Sequence, residues 1–179
     1  MDSENFGHIV ERHYEALYKF ALSLTRAEAD ACDLTQQTFY VWATKGHQLQ
    51  DPSKAKAWLF TTLHRVFLET RRRHTRFPHH DLDELPMEDA LTFSPNLANV
   101  LDSSQVLSAL AKVDPVYQAA VALFYLEDFS YQEIGEILKI PLGTVKSRIA
   151  RGVVQLRQLL GDAPERSPKA LEIQNGVAG

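Results

Sequence analysis

The tetrapeptide Ser130-Tyr131-Gln132-Glu133 constrains its surroundings more than any other stretch of this chain. A serine followed three residues later by glutamate is a capping box. The hydroxyl takes the backbone N–H of the third helical residue, and the carboxylate reaches back to the N–H of the serine. A helix must begin there. Pro141 cannot sit in its interior, because it lacks an N–H and its ring clashes with the preceding turn. Lys139-Ile140-Pro141 therefore makes a turn, and proline suits the first turn of the helix that follows. Ile134, Ile137 and Leu138 give the first of these helices its buried side; Val145, Ile149, Val153 and Leu156 form an apolar stripe on the second. Two short helices joined by a tight turn make a helix-turn-helix.

The same punctuation recurs upstream. Asp51-Pro52 and Asp114-Pro115 each pair an N-cap with a proline at the first helical position. Val10, Tyr14, Leu17, Ala21 and Leu24 recur at helical spacing, as do Ala31, Leu34, Thr38 and Val41, then Ala55, Leu59, Thr62 and Val66. After a gap the spacing returns at Val106, Leu110 and Val113, and continues through Val116, Ala119, Ala120, Leu123 and Leu126. No stretch shows convincing strand alternation or a hairpin signal. The expected fold class is all-α: two small helical domains joined by an acidic linker, the C-terminal one carrying the helix-turn-helix. The expected boundaries are 1–76, 77–105 and 106–160, with a tail over 161–179 that is broken by proline and glycine and expected to be disordered.

Charge sharpens this division. The formal net charge is -4, yet residues 77–105 alone hold six carboxylates and neither lysine nor arginine. Both flanking segments are slightly basic. The single cysteine, Cys32, rules out an intramolecular disulfide and favours a reducing compartment. The polar start MDSENFGHIVERHY does not look like a signal peptide. No apolar run approaches the roughly 18 residues of a membrane span. A cytoplasmic protein without membrane insertion is the expectation. His79-His80-Asp81 lacks the ligand spacing of a zinc site, and neither a nucleophile–base constellation nor a phosphate-cradling glycine loop occurs. Neither a metal, a cofactor nor an enzymatic activity is expected.

A helix that enters the major groove reads base edges with arginine, lysine and small hydroxyl side chains. On the last helix Thr144, Lys146, Ser147, Ala150 and Arg151 are the candidates for base contact, and Arg148 with the backbone near Gly143 for phosphate. The competing account of these residues is an ordinary solvated helix face.

The run LSALAKVDPVYQAAVALFYLEDFSYQEIGEILKIPLGTVKSRIARGVVQL resembles the C-terminal domain of bacterial RNA polymerase sigma factors of the extracytoplasmic-function group. Its Pro-x-Gly-Thr-Val-Lys-Ser-Arg segment is the most specific part. Upstream, DACDLTQQTF is similar to that group's polymerase-binding helix, and KAWLFTTLHRVFLETRRR to its promoter-melting helix. The resemblance implies that Asp33, Gln36, Gln37 and Tyr40 contact the polymerase core, with Gln37 standing where many members carry glutamate. It implies capture of the non-template strand at the minus-10 element by Lys45, His47, Gln48, Gln50, Lys54 and Lys56 from the loop side. Arg65, Arg71, Arg72 and Arg73 would act from the helix side, with Arg65 where many members have asparagine. Trp58 matches a core position. Thr144, Lys146, Ser147, Arg148 and Arg151 would bind the minus-35 element. The implied partners are the polymerase core, promoter DNA and an anti-sigma factor, and the free chain is expected to be a monomer. The acidic linker would enter basic polymerase channels that otherwise hold nucleic acid. A dimeric helix-turn-helix repressor and a partner-sequestering adaptor are the alternatives.

Overall fold

A computed structural model describes residues 3–76 and 100–160, so the expectations for most of the acidic linker, for the histidine pair and for the tail lie outside the described residues. The described residues are helical, in the order α1 (Ser3–Thr25), α2 (Glu28–Lys45), α3 (Ala55–Arg76), α4 (Val100–Lys112), α5 (Pro115–Glu127), α6 (Tyr131–Leu138) and α7 (Leu142–Leu160), with short 3-10 turns at Gly46–Gln48 and Pro52–Lys54.

Each predicted cap is made. Asp51 accepts the Ser53 N–H at 3.0 Å, so the chain turns through Pro52–Lys54 into α3. Asp114 accepts from Val116 N at 2.9 Å and opens α5. At α6, Ser130 Oγ accepts from Glu133 N at 3.3 Å while Ser130 N donates to Glu133 Oε2 at 2.8 Å, which completes the capping box. The helix ends by a left-handed residue, Lys139 at φ 57°, whose N–H returns to Gly135 O. A Cβ on Gly135 would stand 3.1 Å from the Ile140 carbonyl oxygen, a tight contact that glycine avoids. Asp128 closes α5 by the same left-handed turn. One helix starts earlier than the spacing predicts: α4 begins at Val100, upstream of Val106 where the apolar repeat resumes.

Two helical clusters result. In the first, α1, α2 and α3 enclose Leu17, Phe20, Ala31, Leu34, Leu59 and Leu63, with the Phe20 and Phe60 rings 5.4 Å apart. Trp58 sits at the edge of this core, half-buried, with its ring edge-on to Trp42 at 5.1 Å. In the second, α4 to α7 enclose Leu110, Val121, Leu123, Ile134, Ile137, Val145 and Ile149. Here α5 and α7 approach so closely that Gly152 is buried within the apolar stripe of α7, beside the expected Val153, which is half-buried and packs against the core. A methyl on Gly152 would overlap Val121 Cγ2 and stand 3.0 Å from Tyr117 Cβ. Gln118, 3 % exposed, donates to the Leu110 carbonyl at 2.9 Å and so satisfies an end carbonyl of α4.

The clusters are not beads on a tether. α1 lies against α4 and α5, α3 lies against α6, and the buried apolar side chains form one continuous core across both. Phe60 of α3 meets Phe129, just beyond α5, edge to face at 5.3 Å.

Candidate nucleic-acid and protein interfaces

α7 has one side in the core, through Val145, Ile149, Gly152 and Leu156, which leaves Lys146, Ser147, Ala150 and Arg151 exposed. Thr144 and Arg148 are half-buried at the margin of that face. Ser147 Oγ donates to the Thr144 carbonyl at 3.0 Å, which fixes its rotamer and leaves the oxygen's lone pairs outward. Two cations, a hydroxyl and a methyl on an exposed helix face are the chemistry that base edges and phosphates accept.

In the first cluster the residues singled out by resemblance separate into three places. Asp33, Gln36, Gln37 and Tyr40 are all exposed on α2, and Tyr40 is 65 % exposed, unusual for a side chain of its size. They share with Lys45, Arg65, Arg71 and Arg73 an open groove of ≈ 1300 Å³ between α2 and the C-terminal half of α3. Arg65 pairs with Glu69 at 3.9 Å across one helical turn, and the Arg71 guanidinium lies 5.7 Å from the centre of the Phe67 ring. Arg72 is exposed beside them. The connection to α3 forms the second place: His47, Gln48, Gln50 and Lys54 are exposed on it, while Gly46 is buried and the Leu49 N–H returns to Gly46 O at 3.1 Å. A short, internally bonded loop thus presents polar side chains from a fixed base.

Lys56 is the third place, and there the structure departs from the grouping by resemblance. Its ammonium turns away from the loop to the end of α5. It bonds the Glu127 carboxylate at 3.0 Å and the Glu127 carbonyl at 3.0 Å, and stands 4.8 Å from the centre of the Phe129 ring. The Glu127 side chain is only 7 % exposed. Burial raises its carboxyl above the ordinary value, while Lys56 acts in the opposite direction. One and two turns further along α3, Phe60 and His64 continue this side of the helix. Burial, with the Arg148 guanidinium as a lesser cause, pushes the His64 imidazole down to about 4. Resemblance did not point to His64, Glu127 or Phe129. The available signal was the four-residue spacing of Lys56, Phe60 and His64.

Among the described residues no helix is long and apolar enough to cross a membrane, and no three His, Cys, Asp or Glu side chains are placed to hold a metal ion. Cys32 is half-buried, and burial, with the Cys32 thiol as a lesser cause, raises the Tyr14 phenol above its ordinary value.

Two family models match the chain: Sigma-70 region 2 over residues 9–77 and Sigma-70 region 4 over residues 103–156. Two helical clusters with an exposed polar groove in one and an exposed cationic helix in the other are thus those of a sigma factor. Among curated relatives, the ECF RNA polymerase sigma factor SigE of Mycolicibacterium smegmatis is 35 % identical over 164 residues, covering 87 % of this chain and 62 % of that protein. SigL of Mycobacterium tuberculosis is 30 % identical over 156 residues, covering 85 % of this chain and 86 % of the relative. SigW of Bacillus subtilis is 27 % identical, covering 90 % and 91 %. Of solved structures, the Bartonella quintana sigma factor RpoE in complex with the anti-sigma factor NepR matches with TM-score 0.73 at 27 % identity, over 88 % of this chain and 97 % of that one. CnrH in complex with the cytosolic domain of CnrY matches with TM-score 0.61 at 26 % identity, over 91 % and 92 %. The chain belongs to the ECF group of RNA polymerase sigma factors. Such a factor binds the polymerase core and directs it to promoters; it is an initiation factor and not a catalyst.

Proposed function

We propose that the two clusters divide promoter recognition between them. Residues 1–76 bind the polymerase core through Asp33, Gln36, Gln37 and Tyr40. They hold the non-template strand of the minus-10 element with Lys45, His47, Gln48, Gln50, Lys54 and Lys56 and with Arg65, Arg71, Arg72 and Arg73. Residues 106–160 form the minus-35 module, in which α6 and α7 are the helix-turn-helix and Thr144, Lys146, Ser147, Arg148 and Arg151 meet DNA. Residues 77–105 act as the acidic connection that polymerase channels accept in place of nucleic acid. An anti-sigma factor is a further partner, in keeping with the complex that the structural relative RpoE forms with NepR. The protein works in the cytoplasm, where polymerase is, and is a monomer when free.

The observation that carries this reading is the exposure of Lys146, Ser147, Ala150 and Arg151 together on a helix whose other side is core. The local cation count is low, so each cluster alone releases few counterions and binds weakly. Polymerase makes up the affinity by holding both clusters over one promoter. The test is Lys146→Glu with Arg151→Glu: polymerase association measured by size exclusion stays intact, while initiation from a promoter with both elements is lost. Full initiation by the double variant would overturn the assignment. A repressor would instead bind duplex tightly without polymerase, and an adaptor would bind no DNA in either state.

A further inference from the structure

We propose that α1 takes part in the polymerase contact: Tyr14 carries the interface of α2 across the seam between the two helices, as an aromatic anchor for an arginine- or lysine-bearing surface of the polymerase core. The inference rests on the proposed contact through Asp33, Gln36, Gln37 and Tyr40. Tyr14 keeps the spacing of the buried α1 stripe, yet it is 40 % exposed, whereas Leu17 and Ala21 of the same stripe are fully covered. One exposed ring is ordinary on a protein surface. What sets this one apart is its neighbourhood. It lies parallel to Phe39 of α2, with ring centres 6.3 Å apart, and beside Cys32, whose thiol is near enough to act on the Tyr14 phenol. Gln36 stands one helical turn from both Phe39 and Cys32, and one turn before Tyr40. The outer side of the seam therefore runs without a break from Tyr14 through Gln36 to Tyr40, the most exposed large side chain of the cluster.

The ring is also held ready. Its plane is within 2° of Tyr18 and 8° of Phe39, so its orientation is set before a partner arrives and little side-chain freedom is lost on binding. Charge names the partner's chemistry. Glu11, one turn before Tyr14, and Asp33, one turn before Gln36 and Gln37, are exposed on the two helices, and the nearby Lys19 ammonium is taken up by Glu15 at 2.6 Å. A phosphate backbone would be repelled by these carboxylates. An arginine or lysine can lay its stem along the ring while its head meets one of them.

Hydroxyl-radical footprinting of the full chain, free and saturated with polymerase core, reads the oxidation of each tyrosine by mass spectrometry. Tyr14 and Tyr40 should both lose most of their reactivity in the complex. Tyr40 reports on the α2 contact and Tyr14 on its extension, so the two fail separately: protection of Tyr40 alone overturns the inference and leaves the α2 reading standing. Affinity for core, measured by biolayer interferometry, should fall roughly 5- to 30-fold in Tyr14→Ala, and Tyr14→Phe should recover most of it. Glu11→Lys leaves the stacked rings in place; it should weaken binding and flatten its salt dependence. Circular dichroism checks helix content; if Tyr14→Ala loses it, the footprint and Glu11→Lys decide. A Tyr14 as reactive in the complex as in the free chain, or unchanged affinity in a folded Tyr14→Ala, overturns the inference.

Discussion

Acidification should loosen this protein through His64, and the amount can be worked out. The imidazole has an ordinary pKa of 6.5 and is held at about 4 in the folded chain, chiefly by burial. The unfolded chain therefore binds more protons than the folded one between these values. Folding stability is complete above 6.5, falls as pH drops toward 4, and is level below that. At about 1.4 kcal/mol for each pH unit, the full loss is limited to about 3 kcal/mol, of which about 2 kcal/mol falls between pH 7 and pH 5. Two neighbours also contribute. His13, lowered by burial and then by Arg12, acts in the same direction. Glu127 is raised, so the folded chain binds its proton more readily and gains stability on acidification, in a lower window that starts above its ordinary 4.5. The comparison of parent with His64→Gln removes both, since each is common to the pair. Urea unfolding followed by circular dichroism at pH 7 and pH 5 should show the parent losing about 1–2 kcal/mol more than the variant. Equal losses in the two proteins would refute the burial of a neutral His64 between α3 and the second cluster.

Other perturbations follow from the packing. Gly152→Ala inserts a methyl against Val121 and Tyr117 where α5 crosses α7; β-branched Val121, fully buried, has little room to rotate. Thermal unfolding should show a loss of about 1–3 kcal/mol, and an unchanged Tm would mean that the helices are further apart than described. Ser130→Ala removes the hydroxyl that accepts from Glu133 N, while the backbone N–H of residue 130 can still donate to the Glu133 carboxylate; it should cost about 1 kcal/mol in urea unfolding, whereas Ser130→Thr should keep most of the cap.

Local chemistry was legible in the chain wherever a cap stood beside a proline. Asp51, Asp114 and Ser130 each open a helix as expected, because the interactions that decide a helix start lie within three residues. The start of α4 was not legible: Asp102, Ser103 and Ser104 look polar, and six residues of helix precede the first clear apolar repeat at Val106. The α7 stripe was legible except for Gly152, because a glycine carries no apolar signal though it marks a close approach of α5 to α7. Tyr14 falls in register with the α1 stripe yet is 40 % exposed, stacked along Tyr18 and Phe39. The largest surprise lies between the clusters. Lys56 and Glu127 are 71 residues apart, and nothing in the periodicity of α3 says which of its sides will be met by a second domain. Resemblance placed Lys56 among DNA contacts from its position beside the loop; only the fold shows its ammonium held by Glu127.

Reconstituted transcription is the most direct test. Purified chain added to bacterial polymerase core lacking other sigma factors should produce transcripts from promoter DNA selected with that same complex, and none from DNA with either element scrambled. Association with core that yields no promoter-dependent transcript, or failure to associate at all, would contradict the account.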